Sequence, residues 1–131
     1  MTRQEDAKQA NERFYEAFNK QDLLLMKDVW SSDGMVHCIH PGWMVLRGNT
    51  SVLKSWGDIF ENTDNLEIRL SDVEVEIDSG LAWVSCQENL FSIHTAGVQA
   101  SKVHATNLFK NIKGQWKMVQ HHASSLPTQE A

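Results

Sequence analysis

Five side chains in this sequence are candidates to move a proton near neutral pH from a pocket: four of its six histidines, His40, His104, His121 and His122, and the carboxyl of Glu88. Imidazole has an unperturbed pKa of about 6.5, so it takes up and returns a proton around neutrality without special tuning. Glu88 stands out by context. Its period-two neighbours are Ala82, Val84, Cys86 and Leu90, an apolar strand face on which a lone carboxylate is costly to ionise. It therefore needs a hydrogen-bonding partner or a raised pKa, as a pocket acid or as a structural bridge to a neighbouring strand. His121 and His122 are adjacent, and period two sends them to opposite faces, so at most one lines a given cavity. If Trp116 and Met118 mark the inner face, Gln120, His122 and Ser124 share it. On the strand before, His104 shares its face with Thr106 and Leu108.

Other chemistries lack their residues. His37 and His40 are three apart, which on a strand points them to opposite faces, and no His-x-Glu or Cys-x-x-Cys pair completes a tetrahedral set, so no metal site is expected. No G-x-S-x-G elbow is present to raise a serine nucleophile. Gly42, Gly48 and Gly57 are isolated, so no loop cradles a phosphate or dinucleotide and no cofactor is expected. Cys38 and Cys86 sit in apolar strand-like text and read as reduced, buried thiols of a cytosolic protein.

The elements that must position these groups follow from periodicity. Thr2-x-x-Glu5 has the form of a capping box. Ala7, Ala10, Phe14, Ala17 and Phe18 then recur at three- and four-residue steps, which predicts a long first helix. Asp22 caps a shorter helix bearing Leu23, Met26, Val29 and Trp30. Met35 to His40 reads as a strand, Pro41-Gly42 as a turn, and Trp43 to Leu46 as a short partner strand. Gly48-Asn49 opens a third helix with Val52, Trp56, Ile59 and Phe60 on one stripe. From Leu66 the period becomes two, and the apolar parity switches at Ser71-Asp72, which predicts a β-bulge. Asp78-Ser79-Gly80 turns into a strand from Leu81 to His94. Two more run from Ala100 to Ile112 and from Trp116 to Ser124, with fraying after Leu126. The expected fold is α+β: N-terminal helices on a strongly curved, antiparallel or mixed sheet of four to six strands, forming a cone with a central cavity.

The chain has 131 residues, two prolines, 41% hydrophobic and 22% charged residues, which predicts a single globular domain over 1–131 with an ordered core at about 3–125. A formal charge of −5 with no basic run argues against nucleic acid or an anionic membrane as partner. No apolar run is longer than four residues, as in Leu23 to Met26, far short of the roughly 20 residues that span a bilayer. The opening Met1-Thr2-Arg3-Gln4-Glu5-Asp6 is polar, so no signal segment and a cytoplasmic location are expected.

This order of elements resembles the nuclear transport factor 2-like superfamily, also called SnoaL-like or ketosteroid-isomerase-like. The resemblance is carried by Asn19-Lys20-Gln21-Asp22 after the first helix, Val36-His37-Cys38-Ile39-His40-Pro41-Gly42, Leu46-Arg47-Gly48, Ala82-Trp83-Val84 and the ending Trp116 to Ser124. It covers roughly Glu5 to Ser124. The fold hosts isomerases, lyases, hydrolases and plain binding modules, so activity must be argued from the site. The resemblance places His40 where the steroid isomerases carry their carboxylate base. It places Phe14 where they carry an oxyanion-binding tyrosine, with Tyr15 one step away pointing elsewhere, and Thr106 where they carry a protonated aspartate. All three positions differ, so steroid isomerase activity is not expected. Dehydratases of the superfamily pair histidines with an acid, which implies His40 as base with Glu88 or His122 as partner.

The expected guest is a small, largely apolar molecule. Phe14, Trp43, Trp56, Phe60 and Trp83 are candidates to line its cavity, with His104, Thr106 and Gln120 as polar contacts. The alternative is a non-catalytic binding or association module of the same fold. Three helices cover only one sheet face, so the other, offering Phe91, Ile93, Val103 and Phe109, is expected to pair two copies as a homodimer, as superfamily members commonly do.

Overall fold

The structure, a computed structural model, describes residues 3–127. Thr2, expected to cap the first helix, lies outside the described residues, as do residues 128–131 of the tail. Helix α1 (Arg3–Lys20) buries Ala7, Phe14, Ala17 and Phe18, as their spacing predicts. Its buried face is wider than the apolar stripe and also takes in Asn11 and Tyr15. Helix α2 (Leu23–Val29) starts where Asp22 accepts a hydrogen bond from the Leu25 amide at 3.0 Å. Helix α3 (Asn49–Asn62) buries Val52, Ser55 and Trp56.

Six strands follow in one open sheet: β1 (His37–Ile39), β2 (Leu46–Arg47), β3 (Leu66–Asp78), β4 (Leu81–His94), β5 (Gly97–Ile112) and β6 (Gln115–Ser125), in the order β2-β1-β6-β5-β4-β3. β1 runs parallel to β6 and every other pairing is antiparallel. This is the α+β meander expected, with six strands. Strands β1 and β2 are shorter than their apolar text implies. The chain turns tightly after β1, where the Trp43 amide donates to His40 O at 2.9 Å, and Trp43 and Met44 are left exposed.

Two bulges decide which side chains face inward. The first lies where expected: between Ser71 and Glu74 the β3–β4 register shifts by one residue, and Asp72 adopts φ 53°. It carries the inward set from Ile68 to Val73 and Val75. The second has no counterpart in the sequence reading. Leu108 pairs with Gln120 but Phe109 pairs with Met118, so Val119 is the extra residue on β6. Beyond it the parity is inverted: Trp116 and Met118 face in, but so do His121 and Ala123.

α1 packs on β3, β4 and β6. The centre of the core is aromatic. The Phe14 ring meets Tyr15, Trp30 and Trp56 edge-on at centroid distances of 4.8, 6.4 and 5.4 Å, a geometry that adds to the burial term.

Candidate functional site

His40 follows β1 directly, and the turn after it holds its ring against two indoles, Trp43 and Trp56, at 4.6 Å from each. Its Nε2 lies 2.9 Å from Ser55 Oγ on α3 and 3.7 Å from Cys38 Sγ. Glu88 points inward from β4 and is 5% exposed. Tyr15 reaches it from α1 and donates its hydroxyl to Glu88 Oε2 at 2.6 Å. From the other side of Tyr15 a network continues: Asn107 on β5 donates through Nδ2 to the Tyr15 oxygen at 3.1 Å and to Asn11 Oδ1 at 2.8 Å. Asn107 Oδ1 lies 2.6 Å from His121 Nδ1 on β6. The His121 ring in turn packs on Phe14 and Trp56.

His40, Glu88 and His121 line one cavity of about 200 Å³, whose remaining wall is apolar and includes Phe14, Phe18, Trp43 and Trp56. A wider groove of about 690 Å³ runs between α1 and β3, but it is open and flanked by Lys8, Glu12, Glu16 and Lys20. The buried titratable groups converge on the smaller cavity, which makes it the candidate site. Tyr15 lines the groove and touches the cavity acid, so it separates the two spaces.

Burial sets the protonation states. It pushes the Glu88 carboxyl up to about 7, against the downward pull of the Tyr15 hydrogen bond. Tyr15 itself is raised well above its ordinary value, by burial first and then by the Glu88 charge. Burial pulls His40 down to about 4. It pulls His121 down to about 3, with His40 and His122 adding to the effect. Both imidazoles are therefore neutral at pH 7, and Glu88 is the cavity group half-ionised near neutrality. Among the described residues no three His, Cys, Asp or Glu side chains are grouped so as to hold a metal ion.

Of the residues expected at the site, His40, Glu88, Phe14, Trp43 and Trp56 line the cavity. Phe60 stands behind that wall, packed on Phe18 and Trp56 at 6.1 and 6.2 Å. The other five are corrections, and all lie on the outer face of the sheet. His122 is exposed, with His121 in its place, because of the Val119 bulge. Gln120 moves outward for the same reason. His104 and Thr106 face out because the inward set of β5 is Val103, Ala105, Asn107 and Phe109. For the same reason Val103 and Phe109 are core residues and not part of an exposed patch. Trp83 alternates with the buried Ala82 and Val84 and is only partly covered. Tyr15 does not point elsewhere; it is the direct partner of Glu88. Asn107 was also missed, although it carried the signal that exposed Glu88, a polar residue in an otherwise apolar alternating set.

Comparison with known proteins agrees with this architecture. The SnoaL-like domain family matches residues 7–129. A Streptomyces avermitilis protein of the NTF2-like family, described as a "putative dehydratase", superposes with a TM-score of 0.88 at 32% identity, over 95% of this chain and 96% of that one. A Thiobacillus denitrificans protein described as a "putative calcium/calmodulin-dependent protein kinase type II association domain" gives 0.82 at 29% identity, over 90% and 93%. The F-box protein SKIP8 of Arabidopsis thaliana is 27% identical over 114 residues, 87% of this chain and 47% of that protein, so the chain spans about half the length of that curated relative. With a family match over almost its whole length and a backbone that superposes on an NTF2-like protein at 32% identity, this chain belongs to the SnoaL-like family of the nuclear transport factor 2-like superfamily.

Proposed function

We propose that the chain binds a small, largely apolar molecule in the His40–Glu88–His121 cavity and catalyses proton transfer on it, as an isomerase or dehydratase. Glu88 exchanges the proton, and the two neutral imidazoles orient the guest and accept hydrogen bonds from it. The observation that carries this reading is the convergence of three buried titratable groups on one apolar wall. A carboxyl titrating near 7 is matched to neutral operation, whereas imidazoles held at about 4 and 3 are weak bases there. The roles expected of His40 and Glu88 are thus exchanged. A volume of about 200 Å³ is below the ~300–1,000 Å³ of drug-sized sites, so the guest is smaller than a steroid.

The test is to screen small neutral compounds for binding and incubate each binder in heavy water. Deuterium entering a carbon position, or loss of water, supports catalysis, and Glu88→Gln is expected to slow it by about 10²-fold or more. Binding without either reaction favours the second reading, a non-catalytic binding or association module, which the 29% identity to the Thiobacillus protein described as a "putative" association domain supports.

A homodimer through the outer sheet face is part of the proposal. Trp83, Phe91 and Leu108 are only partly covered there, and the paired Ile93 and Val98 are 57% and 63% exposed. Sedimentation of the full chain is expected to give a dimer, and Trp83→Glu a monomer. A wild-type monomer at micromolar concentration contradicts the pairing. Among the described residues no helix is long and apolar enough to cross a membrane. Cys38 and Cys86 are free and buried, which fits the reducing cytoplasm proposed as its location.

A further inference from the structure

Ser55 and Asn107 fix where the protons sit on the two cavity imidazoles. The Ser55 hydroxyl lies 2.7 Å from Val52 O and 2.9 Å from His40 Nε2. A carbonyl only accepts, so the single hydroxyl proton goes to Val52 O and His40 Nε2–H donates to Ser55 Oγ. The lone pair of His40 is then on Nδ1. Asn107 sets His121 by the same logic. Tyr15 gives its proton to Glu88, so its oxygen accepts from Asn107 Nδ2, whose second proton goes to Asn11 Oδ1. Asn107 Oδ1 is left facing His121, and Nδ1–H donates to it at 2.6 Å. The lone pair of His121 is on Nε2.

Among the described residues, neither of these nitrogens is a buried side-chain atom without a partner, and neither makes a hydrogen bond. Both therefore reach accessible surface, and the surface the two residues share is the cavity wall. Trp56 Nε1 is different: it is buried and unpartnered, covered by neighbouring atoms and not offered to a guest. No lysine or arginine lines the cavity among the described residues. A guest thus meets two fixed acceptors, a carboxyl and the faces of aromatic rings.

Resting on the reading that this cavity takes a small molecule, we propose that its guest donates hydrogen bonds and carries no negative charge: an alcohol or N–H compound on an apolar frame. Ser55 and Asn107 are the positioning residues that impose this choice. A carboxylate or phosphate entering the cavity would give up its hydration for two lone pairs and no cation, which is prohibitive.

Four compounds of similar size test it: benzyl alcohol, benzaldehyde, toluene and benzoate, titrated into the full chain and followed by the indole and imidazole NMR signals. Benzyl alcohol is expected to bind about 5–10-fold more tightly than benzaldehyde or toluene, the effect of one neutral hydrogen bond, and benzoate more weakly than toluene. Nitrogen-15 spectra of the unliganded protein should show His40 as the Nε2–H tautomer and His121 as the Nδ1–H tautomer. In Asn107→Asp the carboxylate holds His121 protonated, makes Nε2 a donor, and is expected to erase the preference for the alcohol. Should that variant not fold, the wild-type tautomers and ranking decide the matter. Benzaldehyde or benzoate binding as tightly as the alcohol, or the opposite tautomers, overturns this proposal and leaves the cavity as a small-molecule site. Absence of binding by all four, with His40 and Trp56 signals unmoved, overturns both.

Discussion

Replacing Asn107 with leucine is expected to lower the unfolding free energy by about 3–5 kcal/mol, measured by denaturant titration. Asn107 is fully buried and its amide serves three partners at once: His121 Nδ1, Asn11 Oδ1 and the Tyr15 hydroxyl. Leucine fills nearly the same space but leaves His121 Nδ1 and Asn11 Oδ1 buried without this mate, and each unsatisfied buried group costs about 1–3 kcal/mol. The loss is smaller than the sum of three such terms, because Tyr15 keeps its bond to Glu88. Thr106, one residue away on the outer face, is the control: Thr106→Val should change stability by less than about 1 kcal/mol. A loss below about 1 kcal/mol at Asn107 would mean that the network does not hold the interior together.

The second large effect is one of pH. The Glu88 carboxyl titrates at about 7 in the fold, against an ordinary value of 4.5. The folded state therefore binds this proton more tightly than the unfolded chain does. Its ionisation destabilises the fold progressively as pH rises from 4.5, and the loss levels off above 7. The gap corresponds to about 3 kcal/mol. Glutamine does not titrate, so Glu88→Gln should gain about 3 kcal/mol on the wild type between pH 4.5 and pH 8. The groups around Glu88 are Tyr15 from α1, Cys86 on its own strand, Cys38 and His40 from β1 and the turn after it, and His121 from β6. The two histidines carry the opposite sign. Their folded values lie below 6.5, so the stability they contribute is present above that pH and is lost as pH falls toward 4 and 3. That term is common to both proteins and cancels in the comparison. A difference that stays flat from pH 4.5 to pH 8 would contradict the raised carboxyl.

Much of this arrangement is legible in the residues, and the failures have specific causes. The Ser71–Asp72 bulge shows because apolar residues alternate cleanly on both sides of it. The Val119 bulge does not, since Gln120, His121 and His122 are all polar and no apolar parity marks the change. Period two divides β5 into two faces but does not say which one meets the helices. Val103, Ala105 and Phe109 win the interior by forming the more apolar set, and Asn107 is carried in with them. Tyr15 was obscured by Phe14 beside it, because the buried face of α1 is broad enough to take both. Glu88 was legible because a carboxyl is expensive where it sits.

Carbon-13 titration of the Glu88 side-chain carboxyl tests the central claim most directly. The account predicts a midpoint near 7 in the wild type, and a higher one in Tyr15→Phe, which removes a hydrogen bond to the ionised form. A wild-type midpoint at or below the ordinary 4.5 would contradict it, leaving the cavity without a group that exchanges a proton at neutral pH.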